Sequence, residues 1–461
     1  MSAATWLRFW TTILLAAPLV GIAGDGTVAA EPDNSRLRLI IETDAGGDPD
    51  DEQSLVRFLL YVNEWDVEGI IANRRAAREG ENLNSERTGL GIVRRLLKAY
   101  AQCYPQLVQH DQRYPKFEQL WQRTVAGYDD GDEAVKLIIA AVESPDPRPV
   151  WYSDWGTDDG SCTNNLKRAL DQVLKERGPE GYAKFKSRLR LASADAFGDH
   201  TAKIEPPFPL WVDTFRPELD RRRWYHRFSA LTATAGGFDV QRHLLEGGSP
   251  LGALYPTNTT HPQKEGDTMT FLYLVPTGMN DPNQPMWGSW AGRYGLNLEF
   301  PRRSYYWANQ QDTWQGANHR ENSLARFAVD LQNDFRARLE WCHKPPAEAN
   351  HPPTAVLNGK GGKDNVHLSA APGAAVELSA DGSSDRDGDK LSYQWLIYPE
   401  AGTYGGEVNL ENTDGRHTKL RVPRDAAGNT IHVLLTITDN GTPPLAAYRR
   451  VVINCEPEAK E

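Results

Sequence analysis

The sequence predicts a mostly parallel α/β sheet with helices on both faces, followed by an all-β sandwich. Between Arg36 and about Trp341, short apolar runs alternate with longer helical patterns, which is typical of parallel strands joined by helices. Beyond residue 353 apolar residues recur at every second position, as at Val376 and Leu378, and this alternation indicates half-buried strands. The chain of 461 residues is also longer than one ordinary core fills, so two domains are expected.

The first predicted unit begins with a strand over residues 37–41, and the spacing of Leu55, Val56 and Leu59 places a helix shortly after it. The same alternation continues along the chain, and a helix within residues 323–342 closes the unit. The remaining predicted elements are strands over residues 67–72, 149–153, 188–192 and 270–275 and helices over residues 88–100, 135–142 and 164–176.

A proline-rich polar segment, residues 344–353, is expected to be a semi-rigid linker. The predicted domains are therefore residues 31–343 and 354–457. Alternating apolar residues separated by Gly, Asn and Asp turns predict an antiparallel, immunoglobulin-like or cadherin-like sandwich in the second domain. Its turn at residues 384–389 is similar to that of cadherin-like modules, which often bind structural calcium there, and a plain solvated turn is at least an equal alternative.

Residues 1–30 resemble an export signal. Arg8 gives a weakly positive start, an apolar stretch follows over residues 9–23, and Val28, Ala29 and Ala30 supply a small-residue cleavage site. The apolar stretch is shorter than the roughly 20 residues that a membrane span needs. We therefore expect a protein exported through the inner membrane, periplasmic or extracellular, with no membrane span in the mature chain.

Composition excludes some partners. The formal net charge is −11, which disfavours nucleic acid and anionic membranes and suits a cation or a neutral saccharide. The four cysteines, Cys103, Cys162, Cys342 and Cys455, allow three pairings, and buried free thiols and one structural bridge both stay open.

Acidic residues concentrate directly after the first strand. Asp44, Asp48, Asp50 and Asp51 lie where a parallel strand ends and the next helix begins, the edge at which open α/β sheets bind ligands. Crowded carboxylates repel one another unless a cation holds them, and oxygen ligands in this number suit calcium. A solvated acidic turn that caps the helix is the alternative, but the intervening glycines favour the metal site because they permit close backbone approach.

These residues carry a resemblance to nucleoside hydrolases, whose first strand ends in Asp-x-Asp-x-Gly-x-Asp-Asp. Here Glu42 stands at the first aspartate and Asp44 at the second, and two extra residues precede the pair Asp50 and Asp51. This variant resembles a secreted bacterial family that joins a nucleoside hydrolase-like domain to a small β domain and whose naming relative was described as cellulose-binding. The resemblance implies a nucleoside or saccharide ligand, including plant-type polysaccharide.

The resemblance also implies roles for individual residues. Asp44 would bind calcium and act as the base for the attacking water, Asp51 would bind the same ion, and Asp50 would contact sugar hydroxyls. Thr163, before the helix of residues 164–176, resembles the family residue that donates its backbone carbonyl to the metal. Asp267 resembles the last ligand.

Other positions match the nucleoside hydrolase pattern less directly. Gly266 stands where the family has a histidine that can protonate the leaving group, while His200 and His261 are expected to be surface residues. Asn82 and Asn84 follow the second strand, where the family keeps a sugar-contacting asparagine, although asparagines are also ordinary turn formers.

The segment of residues 278–294 contains Trp287, Trp290 and Tyr294 among glycines and prolines. Such loop aromatics either pack between loops or provide platforms for sugar rings, and packing is the favoured interpretation. Two functions therefore stay open. One is a calcium-dependent hydrolase of an N-glycosidic or related glycosidic bond; the other is a non-catalytic polysaccharide-binding protein with the same fold. An adhesion module is less consistent with the acidic cluster.

Overall fold

The computed structural model describes residues 36–80, 83–129, 131–156, 163–194, 208–214, 227–259, 263–296 and 305–457. The predicted export signal, Asn82, Cys162, His200 and His261 lie outside these ranges. None of the helices in the described ranges is long and apolar enough to cross a membrane.

An eight-stranded sheet forms the centre of the first unit, in the order β3-β2-β1-β4-β5-β6-β8-β7. Every pairing in it is parallel except that between β7 and β8 at one edge. The prediction of a mostly parallel sheet is therefore confirmed. The strands are β1 Leu37–Thr43, β2 Trp65–Ala72, β3 Thr124–Ala126, β4 Val150–Trp155, β5 Leu189–Ser193, β6 Trp211–Asp213, β7 Gly295–Leu296 and β8 Tyr306–Trp307.

Helices cover both faces of this sheet. Successive residues of β1 point to opposite faces, so Leu39 and Ile41 pack in one apolar core and Ile40 in the other. The first core contains α1, α2 and α9, and the second contains α4 and α5. The helices are α1 Asp50–Tyr61, α2 Gly89–His110, α3 Phe117–Gln122, α4 Glu133–Glu143, α5 Asn165–Ser187, α6 Arg227–Thr232, α7 Thr268–Leu272, α8 Asn322–Ala325 and α9 Ala328–Trp341.

Two helices extend beyond their predicted ends. The helix predicted over residues 88–100 continues to His110, because Cys103 and Leu107 prolong its buried face past Pro105. The helix predicted over residues 164–176 is followed by a second helical stretch that ends at Ser187, after a break at Gly178, whose φ is 67°. At the end of α2, burial therefore outweighs local propensity.

The strand predicted over residues 270–275 is wrong. This segment contains the end of the short helix α7, and the residues from Met269 to Leu274 are all buried. A continuous apolar run without polar interruptions fits a buried helix as well as a buried strand. The Thr270 hydroxyl donates to the Asp267 carbonyl at 2.7 Å, which helps the turn to form. The place beside β6 in the sheet is taken by β8 instead.

The second unit is a sandwich of a four-stranded sheet, β11-β17-β16-β13, and a three-stranded sheet, β12-β15-β14. The predicted sandwich is thus observed, except that β11 pairs with β17 in parallel. A separate hairpin, β9 and β10, precedes it in the chain. The strands are β9 Asp312–Trp314, β10 Ala317–His319, β11 Val366–Ala370, β12 Ala375–Ser379, β13 Ser392–Ile397, β14 Leu410–Glu411, β15 His417–Arg421, β16 Thr430–Thr438 and β17 Ala446–Cys455.

The proline-rich segment 344–353 is packed against both units. The His110 ring stacks on Trp341, and its Nδ1 lies 2.8 Å from Nε2 of His351. Asn350 donates to Asp439 at 3.0 Å. At the neighbouring turn, Asp387 accepts a 2.8 Å hydrogen bond from the His351 backbone N–H. The first and second units are not separated by contacts: the described residues from Arg36 onwards form one compact body. The domain boundaries therefore stay predictions.

The aromatic segment 278–294 contacts the sandwich. Trp290 and Tyr294 are buried, and the Trp287 ring meets the His432 ring edge to face at a centroid distance of 4.8 Å. Arg450 of β17 donates to the Trp287 carbonyl at 2.7 Å and also to the carbonyl of Met279. These rings therefore pack between the two units, as the favoured interpretation expected.

Acid is expected to weaken this contact through His432. Burial, reinforced by the charge of Arg450, lowers the pKa of His432 from 6.5 to about 3. The unfolded chain binds a proton below about pH 6.5 that the folded chain excludes, so stability is present above that pH and falls as the pH approaches about 3. We expect His432→Asn to reduce this loss in denaturant unfolding at a series of pH values. His417→Asn, at an exposed histidine, is the control, and identical pH profiles for His432→Asn and the parent would contradict the prediction.

Candidate functional site

The acidic residues predicted after the first strand gather at the carboxyl end of the sheet, between β1 and the first turn of α1. Asp50 and Asp51 lie in that first turn, where the helix N-terminus stabilises negative charge. The turn that leads there needs glycine twice. Gly46 has a φ of 99°, and a Cβ on Gly47 would lie 2.9 Å from Asp44 Oδ2. The close approach expected of these glycines is therefore observed.

The carboxylates form one buried group. Oxygen atoms of Asp48, Asp50 and Asp51 all lie within 4.8 Å of one another. Asp51 also hydrogen-bonds Asp44 and accepts a hydrogen bond from the Thr43 hydroxyl. Asp267 joins them from the loop before α7 and interacts electrostatically with Asp50 and Asp44. Two of the three predicted carboxylate ligands, Asp44 and Asp51, are thus in direct contact, and the third faces them.

The electrostatics of this group favour a cation. Burial, followed by repulsion from neighbouring carboxylates, raises the pKa of Asp51 and Asp267 well above the usual range. Oδ2 of Asp267 is buried and has no hydrogen-bond partner among the described residues, an arrangement that costs stability unless a ligand fills it. This oxygen is a specific reason to place a positive charge here.

Two basic side chains of the protein already neutralise part of the cluster. Lys264 forms an ion pair with Asp48 and lies 3.2 Å from Asp50 Oδ2. Arg74 Nη2 lies 3.0 Å from Asp44 Oδ2. Five carboxylates, including Asp51 and Asp267, therefore meet two paired cations. With all five ionised, three negative charges remain uncompensated, and a bound divalent ion would reduce this excess to one.

Glu42 lies beside this cluster, in the position of the first aspartate of the nucleoside hydrolase motif. Its carboxylate accepts hydrogen bonds from Tyr152, Asn73 and Asn165, the last at 2.6 Å. Burial, followed by the negative charge of Asp154, raises the pKa of Glu42 to about 8. In this structure Glu42 therefore ties β1 to β4 and to the start of α5.

Thr163 is held by the same network. The Asn73 side chain donates to the Thr163 carbonyl at 2.6 Å and accepts from the Thr163 N–H at 3.0 Å. The Asn164 side chain accepts from the Lys167 N–H at 2.9 Å and so caps the N-terminus of α5. The carbonyl that resemblance assigns to the metal is engaged by amide groups here.

Asn84, which follows β2, contacts a carboxylate outside this cluster. Asn84 donates to both carboxylate oxygens of Glu52, at 2.9 and 3.1 Å. It borders a cavity of about 230 Å³ that also touches Pro49, Arg95 and Tyr255. Asn82 lies outside the described residues, so Asn84 is the one of the pair that can be placed, at the margin of the cluster.

Helix α1 also positions the loop that supplies Lys264 and Asp267. Gln53 Oε1 accepts hydrogen bonds from the N–H groups of Lys264 and Glu265, at 2.7 and 3.0 Å. The Glu265 carboxylate, fully buried, meets the Arg57 guanidinium at 2.5 and 3.1 Å. The Glu265 backbone has a left-handed φ of 44°. These contacts fix the loop in spite of that unfavourable backbone conformation.

Asn73, Arg74 and Lys264 were not among the predicted site residues. The signal for the first two was their position immediately after β2, at the same sheet edge as Asp44. Lys264 precedes Asp267 by three residues, but its approach to Asp50 depends on a loop that local sequence patterns do not define.

Fold and site together define a nucleoside hydrolase-like domain. A family model described as the cellulose-binding Sde182, nucleoside hydrolase-like domain matches residues 38–294, and one described as the cellulose-binding protein Sde0182, C-terminal domain matches residues 375–455. The chain belongs to this carbohydrate-associated family, as the resemblance implied.

A solved structure supports the same assignment. A nucleoside hydrolase-related hypothetical protein from Saccharophagus degradans, described as associated with carbohydrate metabolism, is 31% identical, with a TM-score of 0.70. The match covers 91% of this chain and 100% of that one. The PKD domain of the KIAA 1837 protein matches at 22% identity over 21% of this chain and 86% of its own, with a TM-score of 0.16 that supports no conclusion. No curated protein matches the sequence significantly.

Breaking the buried Arg57–Glu265 pair is expected to destabilise the fold. Arg57→Met leaves the Glu265 carboxylate buried without its main partner, which typically costs about 3–5 kcal/mol. The double variant Arg57→Met/Glu265→Met removes both charges and should recover much of this loss. Denaturant unfolding of the two variants and the parent measures the difference. A loss below about 1 kcal/mol in the single variant would show that the pair does not hold this loop.

Proposed function

We propose that the protein is a calcium-dependent hydrolase of an N-glycosidic, nucleoside-like bond or of a related glycosidic bond. The observation that supports this most directly is the buried group formed by Asp44, Asp51 and Asp267, with one Asp267 oxygen that has no hydrogen-bond partner among the described residues. Membership of a family with a nucleoside hydrolase-like domain supports the same chemistry.

The residues present fit calcium. Carboxylate and carbonyl oxygens are the donors that this hard cation prefers, and Asp44, Asp51, Asp267 and the Thr163 carbonyl would hold it. When bound, calcium would lower the pKa of a water molecule and orient a sugar diol. The Thr163 carbonyl would have to share its lone pairs with Asn73, which already donates to it.

The side chains of the protein would perform the other steps. Asp44 would accept the proton of the attacking water, a contribution on the order of 10²–10⁴-fold, and its ion pair with Arg74 would fix its orientation. Asp50 would contact sugar hydroxyls, and Asn82 and Asn84 would contact the sugar at the margin. The negative charge of the cluster would stabilise positive charge that develops on the sugar.

The leaving group would receive little help. Gly266 stands where nucleoside hydrolases have a histidine, so no side chain at that position can protonate a departing base. We therefore expect substrates with activated leaving groups, which depart without protonation, to react much better than unactivated nucleosides.

We further propose that residues 1–30 direct export and that residues 31–343 form the catalytic domain.

Calorimetric titration of calcium into the full chain tests the metal site. We expect the parent to bind calcium and Asp51→Asn to lose binding, because that substitution removes a negative oxygen donor from the group. Asp414→Asn, at an exposed aspartate of the sandwich, should bind like the parent. Equal binding by the parent and Asp51→Asn would place the ion elsewhere.

Hydrolysis of a nitrophenyl riboside tests the reaction. The parent should release nitrophenol in the presence of calcium and stop when the ion is chelated. Asp44→Asn, which preserves the size of the side chain, should reduce kcat by about 10²–10⁴-fold. Retained turnover in Asp44→Asn would exclude Asp44 as the base.

A non-catalytic polysaccharide-binding protein is the alternative, and one observation favours it. Lys264 and Arg74 already pair with Asp50 and Asp44, the two residues that a hydrolase would need for the sugar and the water. Binding of the purified protein to cellulose without any turnover on glycoside substrates would establish this alternative.

Lys264 provides a further test of the metal site. If a cation binds among these carboxylates, Lys264 repels it, so Lys264→Met should raise calcium affinity by about tenfold to a hundredfold. Lys136→Met, at an exposed lysine of α4, should leave the affinity unchanged. An unchanged or lower affinity in Lys264→Met would indicate that the ion does not bind among the carboxylates that Lys264 contacts.

A further inference from the structure

Two thiols from distant parts of the sequence meet in the first core. Cys103 lies in the middle of α2, and Cys342 directly follows α9. Their exposed fractions are 0% and 2%. The two side chains interact directly, and the Ser249 hydroxyl contacts both of them. Two cysteines in such contact need only a small rearrangement to form a disulfide.

The third described cysteine cannot compete for this contact. Cys455 packs in the apolar core of the sandwich, whereas Cys103 and Cys342 share the core on one face of the large sheet. Cys162 lies outside the described residues. Among the three cysteines that the structure describes, Cys103 and Cys342 form the one pair in contact.

We propose that Cys103 and Cys342 form a disulfide when the protein folds in an oxidising compartment. The oxidant is a disulfide-bonded thiol oxidoreductase or, in vitro, oxidised glutathione. The thiolate of either cysteine, for example Cys103, attacks one sulfur of that disulfide and releases the first partner thiolate. Cys342, once deprotonated, then attacks the Cys103 sulfur of the mixed disulfide and releases the second. The two cysteines lose two electrons and two protons, and the partner gains them as two thiols.

The two thiols have different surroundings in the folded chain. The interaction with Cys342 lowers the pKa of Cys103, while burial raises the pKa of Cys342 well above the usual range. These shifts belong to the folded chain, so either thiol can attack first while the core is still open. Because both are buried in the folded chain, the bond forms during folding, while the core is still open to the oxidant.

The bond would secure the contact between the two units. Cys342 stands at the end of α9, directly before the segment 344–353, and α2 also carries His110, which meets His351 of that segment. A disulfide here would fix the end of α9, from which the chain continues through the segment 344–353 to the sandwich. It also closes a very long loop, which restricts the unfolded chain.

Peptide mapping of the full chain tests this proposal. One sample is refolded with oxidised and reduced glutathione, and a second with dithiothreitol. We expect the first to be lighter by the mass of two hydrogens. Non-reducing trypsin digestion should link the peptide of residues 99–113 to the peptide of residues 339–360. Full recovery of both peptides as free thiols, or a link from either to Cys455, would overturn the proposal.

Thermal unfolding tests the consequence. Reduction should lower the midpoint of the oxidised parent by on the order of 5 °C. Cys103→Ala/Cys342→Ala should lack both the linked peptides and this response to reductant. Cys455→Ala, the matched change at the third buried cysteine, should keep both. The peptide map of the parent decides the question even if the double variant does not fold.

Discussion

The burial of several carboxylates at the end of β1 is the constraint on which the rest of the site depends. Buried carboxylates without compensation are unstable, and each neighbouring element supplies part of that compensation. The N-terminus of helix α1 stabilises Asp50 and Asp51. Arg74 pairs with Asp44, and Lys264, from the loop before α7, pairs with Asp50. Gln53 and Arg57 then hold that loop through its backbone and through Glu265. The site is therefore inseparable from the packing of α1.

The second unit packs against segments of the chain that adjoin the first unit. The aromatic segment 278–294 follows α7 in the chain and packs on β16 and β17 through Trp287, His432 and Arg450. The segment 344–353 packs through Asn350 and His351. The sandwich thus braces the part of the chain that begins with Asp267. Its aromatic rings serve packing here, while the carboxylate group lies at the sheet edge.

The order of elements in the first unit could be predicted where the hydrophobic pattern was unambiguous. The strands at Leu37–Thr43 and Trp65–Ala72 and the helix after Asp50 follow directly from apolar runs and a periodic face. Prediction failed at α7, where a mostly apolar run has no period, and at the end of α2, where tertiary burial prolonged the helix. It also failed at the end of α5, where a second helical stretch follows the break at Gly178. For the site, the cluster of Asp44, Asp48, Asp50 and Asp51 was predictable because those residues are neighbours in the sequence.

By itself the sequence determined the fold class, the family and the strand end where carboxylates concentrate, because these depend on local periodicity and on a contiguous motif. Only the tertiary structure decided which basic side chains form ion pairs with those carboxylates. Arg74 comes from the loop after β2 and Lys264 from the loop before α7, and their approach to the carboxylates is set by packing across the core. The same holds for the contact between Cys103 and Cys342. Long-range contacts of this kind carry no local signal, since their partners meet only when the whole sheet and its helices have assembled.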